Sequence, residues 1–118
     1  MTTSPTVVPS PISALEEFQS RSPLPSCGTL EWGHQPAPTN DVALECFNTA
    51  MRTGTGAELM TRHPTVEGDE IHEYYRAVPG QPGYEVFVDT TRDAFGARGW
   101  SYGTCPGTST LALFGPCR

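Results

Sequence analysis

The sequence predicts an α+β domain of two layers, one amphipathic helix packed on a four- to five-stranded antiparallel sheet, behind a disordered Pro/Ser/Thr-rich tether. Three observations carry that prediction. Seven of the twelve prolines fall within residues 1–38, a composition that favours extended, solvated chain. From Ala43 to Met51 apolar residues recur at three- and four-residue spacing. From Glu58 onward the period switches to two, in short runs separated by turn residues.

Taken in order, residues 1–26 read as a flexible linker and residues 27–118 as a disulfide-stapled α+β domain. One island interrupts the linker, Ile12 to Gln19, where Pro11 can open a transient helix and Ile12, Leu15, Glu16 and Phe18 loosely follow helical spacing. The domain's helix begins near Thr39, Asn40 and Asp41, whose side chains suit an N-cap. It places Ala43, Cys46, Phe47, Ala50 and Met51 on one face, with Cys46 toward the core. Gly54 and Gly56 end it, and Arg52 sits favourably near its carboxyl terminus. Strands follow at Glu58–Val66, Glu70–Val78, Tyr84–Thr90, Gly99–Cys105 and Leu111–Phe114. Their short connectors predict an antiparallel meander, since a parallel crossover needs a dozen or more residues. Tyr84, Val86 and Val88 share one face and Glu85, Phe87 and Asp89 the other, while Ile71, Glu73, Tyr75 and Ala77 oppose Glu70, His72, Tyr74 and Arg76.

Composition excludes several functions. The 118 residues carry 13 Asp/Glu against seven Lys/Arg, a net charge of -6, so nothing in the balance favours nucleic acid as a partner. No apolar run approaches the roughly 18 residues that a transmembrane helix needs, which argues against membrane insertion by this segment. All seven basic residues are Arg, and Ile occurs only at Ile12 and Ile71, which reads as the codon bias of a GC-rich genome.

Cys27, Cys46, Cys105 and Cys117 sit in a domain too small to bury much core, the situation in which disulfides are recruited. Met1 to Pro9 has neither a positive n-region nor an apolar h-region. The expected location is therefore extracytoplasmic, secreted or envelope-tethered, with a leader absent from this chain. Four cysteines allow three pairings. If the chain returns from Cys105 through Pro106 to Thr110 as a hairpin, Cys105 faces a residue near Leu111 and Cys117 lies some six residues further, roughly 20 Å away by strand rise, which disfavours Cys105–Cys117 and with it Cys27–Cys46. The preferred pairs are Cys46 with Cys105 and Cys27 with Cys117, Cys46 with Cys117 remaining open.

The order of features resembles a known set. Cys27-Gly28-Thr29 is followed by Ala43-Leu44-Glu45-Cys46-Phe47, by Arg62 to Asp69, by Asp89 to Gly96, and finally by Cys105 and Cys117. This resembles a family of small uncharacterised domains in exported proteins and lipoproteins of GC-rich Gram-positive bacteria. The resemblance covers about Cys27 to Cys117; it implies location and a disulfide-bonded fold, and no catalytic residue. This sequence departs from the family in having no lipobox or signal, which leaves its mode of attachment open.

Chemistry is sparse. His34, His63 and His72 lack paired ligand spacing, and Glu67, Asp69 and Glu70 lack the ordered alternation of a calcium loop. The serines lie in Pro- or Gly-rich loops without a nucleophile elbow. No catalytic residue, metal or cofactor is expected. Arg92 between Asp89 and Asp93 reads as a pinned loop whose rim presents Phe95 and Trp100. Candidate partner-binding residues are Tyr74, Arg76, Gln81, Phe87, Phe95 and Trp100, with Phe87 the expected exposed apolar contact. The expected function is a non-enzymatic extracytoplasmic module binding a protein or cell-wall component. One alternative is an inhibitor of a secreted hydrolase, on the cystatin-like outline of the fold and the loop around Gln81. Another is an acidic partner that neutralises a basic protein.

Overall fold

An aspartate starts the main helix and a glycine stops it. In the computed structural model, which describes residues 13–33, 38, 41–111 and 113, the extended Asp41 accepts a hydrogen bond on its carboxylate from the Ala43 N–H at 2.8 Å. Gly54 closes the helix with φ +73° and donates its N–H to the Ala50 carbonyl, a conformation that costs a residue without Cβ little. Between them the apolar stripe turns Leu44, Phe47 and Ala50 inward. Expectations for residues 1–12, His34 and Cys117 lie outside the described residues.

The chain runs α1 (Ala14–Ser20), β1 (Ser26–Glu31), α2 (Val42–Thr53), β2 (Ala57–Pro64), β3 (Glu70–Ala77), β4 (Tyr84–Asp89) and β5 (Trp100–Cys105). The strands form one sheet in the order β1-β2-β3-β4-β5. The α+β class is as the sequence predicts, and β2 to β5 form the expected antiparallel meander. The first strand departs from it. Ser26–Glu31, read as the linker's end and the domain's start, pairs with β2 in parallel, and α2 is the crossover that makes parallel pairing possible. The sheet is therefore mixed.

The register sorts the strands onto two faces. Leu30, Leu59, Tyr75 and Tyr84 share the face on which α2 lies, and with Phe47 they form the core. Phe47 is fully enclosed and meets Tyr84 and Tyr75 edge-on, ring centroids 6.1 and 6.5 Å apart. The far face reads in rows across β2, β3 and β4: Arg62, His72 and Asp89, then Met60, Tyr74 and Phe87, then Glu58, Arg76 and Glu85.

After Cys105 the chain turns at Pro106 and Gly107. Leu111 packs into the core, and its N–H donates to Asn48 Oδ1 of α2 at 2.8 Å. The strand expected at Leu111–Phe114 is absent at the described positions of that run, Leu111 and Leu113. The disulfide expectation rested on that strand returning beside Cys105 and running on toward Cys117, and the observed bond overturns it. Cys27 is bonded to Cys46, with Cα atoms 5.8 Å apart, so neither Cys46–Cys105 nor Cys27–Cys117 forms. Cys105 is also disulfide-bonded. Cys46 itself sits on the exposed flank of α2 rather than toward the core, where it ties the helix to β1.

Candidate functional site

The far face brings together four of the six candidate residues, and the protein covers them itself. Ser13 and Glu16 form a reciprocal cap at the start of α1, satisfying backbone donors that a short helix otherwise leaves open. The helix delivers Phe18 to the sheet, its ring centroid 4.5 Å from Tyr74, 4.8 Å from Trp100 and 5.5 Å from Phe87. Residues 13–25, read from sequence as part of a flexible linker, are thus a short helix and an arm seated on the sheet. Phe87 is 2% exposed, so the residue expected to be the exposed apolar contact is buried beneath Phe18 and against Tyr102, 4.9 Å away.

Arg76 is buried too. Its Nε donates to Glu58 Oε2 at 2.8 Å, its Nη1 to Glu85, and its Nη2 to the Ser22 carbonyl at 2.5 Å. A buried guanidinium needs this many acceptors, since an uncompensated charge away from water is costly. Arg21 stacks over the Phe18 ring at 3.7 Å and donates from Nε to the same Glu58 oxygen at 3.1 Å. Tyr102 donates its hydroxyl to Glu85 Oε1 at 3.0 Å; burial and this carboxylate push its pKa up to about 12. Burial, with the charge of Asp89 second, likewise raises Tyr74.

Phe95 stands elsewhere, in the loop between β4 and β5, and is 77% exposed. Side chains fix that loop. Asp93 Oδ1 accepts from the N–H groups of Phe95 and Gly96 at 3.1 and 3.0 Å. Thr90 Oγ1 lies 2.8 Å from the Ala97 carbonyl and 3.1 Å from that of Gly99. Asp69, in the β2–β3 turn, accepts from the Ala94 N–H at 2.9 Å and so joins two loops at one end of the sheet. Val66, in the same turn, is 89% exposed. Arg92 does not bridge two carboxylates as expected: it pairs with Asp89 at 2.9 Å, while the Asp93 carbonyl takes Arg98 Nε at 3.1 Å. Burial alone would raise the Asp89 carboxyl, but hydrogen bonds from Thr91 and Arg92 hold it below the ordinary carboxylate value. Gln81 is exposed in the β3–β4 turn. In that turn Gly83 (φ +68°) is required, because a Cβ would collide with the Cys105 carbonyl.

Two features escaped the sequence reading. On the core face Glu73 is 8% exposed and accepts from Thr61 Oγ1 at 3.1 Å. His63 Nε2 lies 3.5 Å from the same carboxylate, and Trp32 stacks on the imidazole at 4.9 Å. Beside this carboxylate, burial pushes the Tyr75 hydroxyl far up. Thr61 is 0% exposed, so its hydroxyl meets no substrate and the cluster reads as buried polar pairing. The period-two pattern put Glu73 on the face of Ile71, Tyr75 and Ala77 but did not show its hydrogen bond with Thr61. The second feature is a hollow of about 610 Å³ between α2 and β1, bordered by Val42, Thr49, Ala50 and the Cys27–Cys46 bridge. It requires the β1 strand that the sequence did not reveal. Among the described residues no group of three His, Cys, Asp or Glu converges as metal ligands do.

Compared with protein-family models, with curated proteins and with solved structures, the chain matches none.

Proposed function

We propose that this protein is a non-enzymatic extracytoplasmic binding module that engages a protein or cell-wall component through the Phe95 end of its sheet. The observation that carries the reading is an aromatic side chain 77% exposed at the tip of a loop held by hydrogen bonds on both sides. A large apolar side chain held in water gains its full burial on contact, and a loop already fixed loses little entropy when it docks. Val66, in the turn that Asp69 ties to this loop, adds apolar area at the same end. The extracytoplasmic part of the reading is supported by the Cys27–Cys46 bridge and the oxidised Cys105, together with the resemblance to exported domains.

A photo-crosslinking residue at position 95 tests the reading. It is expected to capture one partner from cell-envelope extract, and Phe95→Ala is expected to weaken binding to that purified partner by about tenfold or more without lowering the melting temperature. Equal affinity of Phe95→Ala and the native chain for the captured partner would exclude the Phe95 tip.

A further inference from the structure

The far face holds a receptor for one aromatic ring, and the chain fills it with its own. Tyr74, Phe87 and Trp100 form the cradle for Phe18. Three residues on, Arg21 reaches Glu58. The rim beside the cradle carries two carboxylates, Glu58 and Glu85, around the single guanidinium of Arg76. That leaves one negative charge over, which selects a cation at the position Arg21 occupies.

The cover is light. No residue of α1 is buried, and its seven residues fall well short of the roughly 12–15 at which an isolated helix becomes even marginally stable. Among the described residues, the Phe18 ring, the Arg21–Glu58 pair and the Ser22 and Pro25 carbonyls fasten α1 and the arm that follows it. Beyond α1, the arm from Arg21 to Pro25 is neither helix nor strand and carries Pro23 and Pro25, and its far end is held to β2 where the Pro25 carbonyl accepts from the Glu58 N–H at 2.8 Å. Beside Arg21 a cleft of about 140 Å³, floored by Thr29, Met60 and Tyr74, leaves part of the sheet open.

We infer that this face is a docking site for a helical segment of a partner protein that presents an aromatic residue followed three positions later by an arginine, and that α1 is its intramolecular stand-in. The incoming segment places its ring among Tyr74, Phe87 and Trp100 and its guanidinium on Glu58, and α1 lifts as it enters. Because α1 is tethered, its effective concentration at the face is about millimolar. A free segment therefore competes poorly with the native chain and well with a chain whose own ring is gone. The inference is separate from the Phe95 reading, and its readout needs no partner of that tip.

The probe is a fluorescent synthetic peptide of residues 13–22, followed by anisotropy with the full-length chain. It is expected to bind Phe18→Ala protein at least tenfold more tightly than native protein, and the same peptide with alanine in place of its phenylalanine is expected to bind neither. Equal affinity for the two chains, or no binding to a Phe18→Ala chain that keeps its helix content and its Cys27–Cys46 bond, overturns the inference. Should Phe18→Ala fail to fold, Arg21→Ala serves instead, since it loosens α1 and leaves the ring. There the peptide is expected to bind several-fold more tightly than to native protein, and equal binding overturns the inference.

Discussion

The two faces of the sheet are both covered by a helix, and the covers differ in kind. On one side α2 drives Phe47 into full burial among Leu59, Tyr75 and Tyr84 and is bonded to β1 through Cys46 and Cys27. On the other, α1 offers the Phe18 ring and buries none of its residues, and Arg21, which follows it, adds an ion pair to Glu58. The first cover is part of the core; the second is a lid on a surface already built by the sheet's own cross-strand pairs, Arg76 with Glu58 and Glu85 and Phe87 with Tyr102. A sheet face can be closed either by apolar area or by a small number of specific contacts, and only the latter opens without unfolding the domain.

That difference can be broken at several points. Phe47→Ala should be the most damaging change, destabilising by about 3–5 kcal/mol through lost burial and the cavity left behind; denaturant titration measures it. Replacing both Cys27 and Cys46 by serine releases a loop spanning 19 residues and should cost about 3 kcal/mol in the chain-entropy account, seen as a lower midpoint at constant slope. Phe18→Ala, by contrast, should cost about 1 kcal/mol, the scale of an aromatic contact beyond area, while near-ultraviolet dichroism reports the changed surroundings of Trp100. A loss comparable to that of Phe47→Ala would place α1 in the core and erase the distinction.

The smallest expected effect lies at the sheet's end. Asp89 has its carboxyl held below the ordinary value, so its stabilisation is fully present above the unfolded value of about 3.9 and is lost as pH falls through the folded one. Glu70, lowered by the hydrogen bond from His72, adds in the same direction. Asp89→Asn should therefore lower stability at pH 7 by about 1 kcal/mol and flatten the decline of stability below pH 4. An unchanged acid slope would show that the carboxylate contributes nothing there.

Much of the core face was legible in the sequence, and the lid was not. The three- and four-residue spacing in α2 depends on local geometry, and the helix appears where that spacing and Asp41 place it. Period-two alternation likewise located β2 through β5 to within one or two residues at each end. β1 has no such pattern: Ser-Cys-Gly-Thr-Leu-Glu is interrupted by Gly28 at φ +103°, where its register against β2 shifts. Its pairing depends on β2, far along the chain. Alternation rightly put Tyr74, Arg76 and Phe87 on one face, but Trp100, read as part of the Phe95 rim, lies on that face too, and alternation cannot say what covers a face. The helical spacing around Phe18 was legible in the sequence, but its seat on the sheet was not, because its partners lie 56 or more positions away in sequence. Phe95 was legible at a loop rim because it falls between the two period-two runs Tyr84–Thr90 and Gly99–Cys105.

Hydrogen exchange on the native, disulfide-intact chain tests the contrast between the two covers most directly. The amides of α2 should exchange only through global unfolding, while the α1 amide of Glu17, bonded to the Ser13 carbonyl at 3.0 Å, should open locally at a cost on the order of 1–2 kcal/mol. Equal protection of Glu17 and the amides of α2 would contradict a removable lid and make both helices parts of one cooperative core.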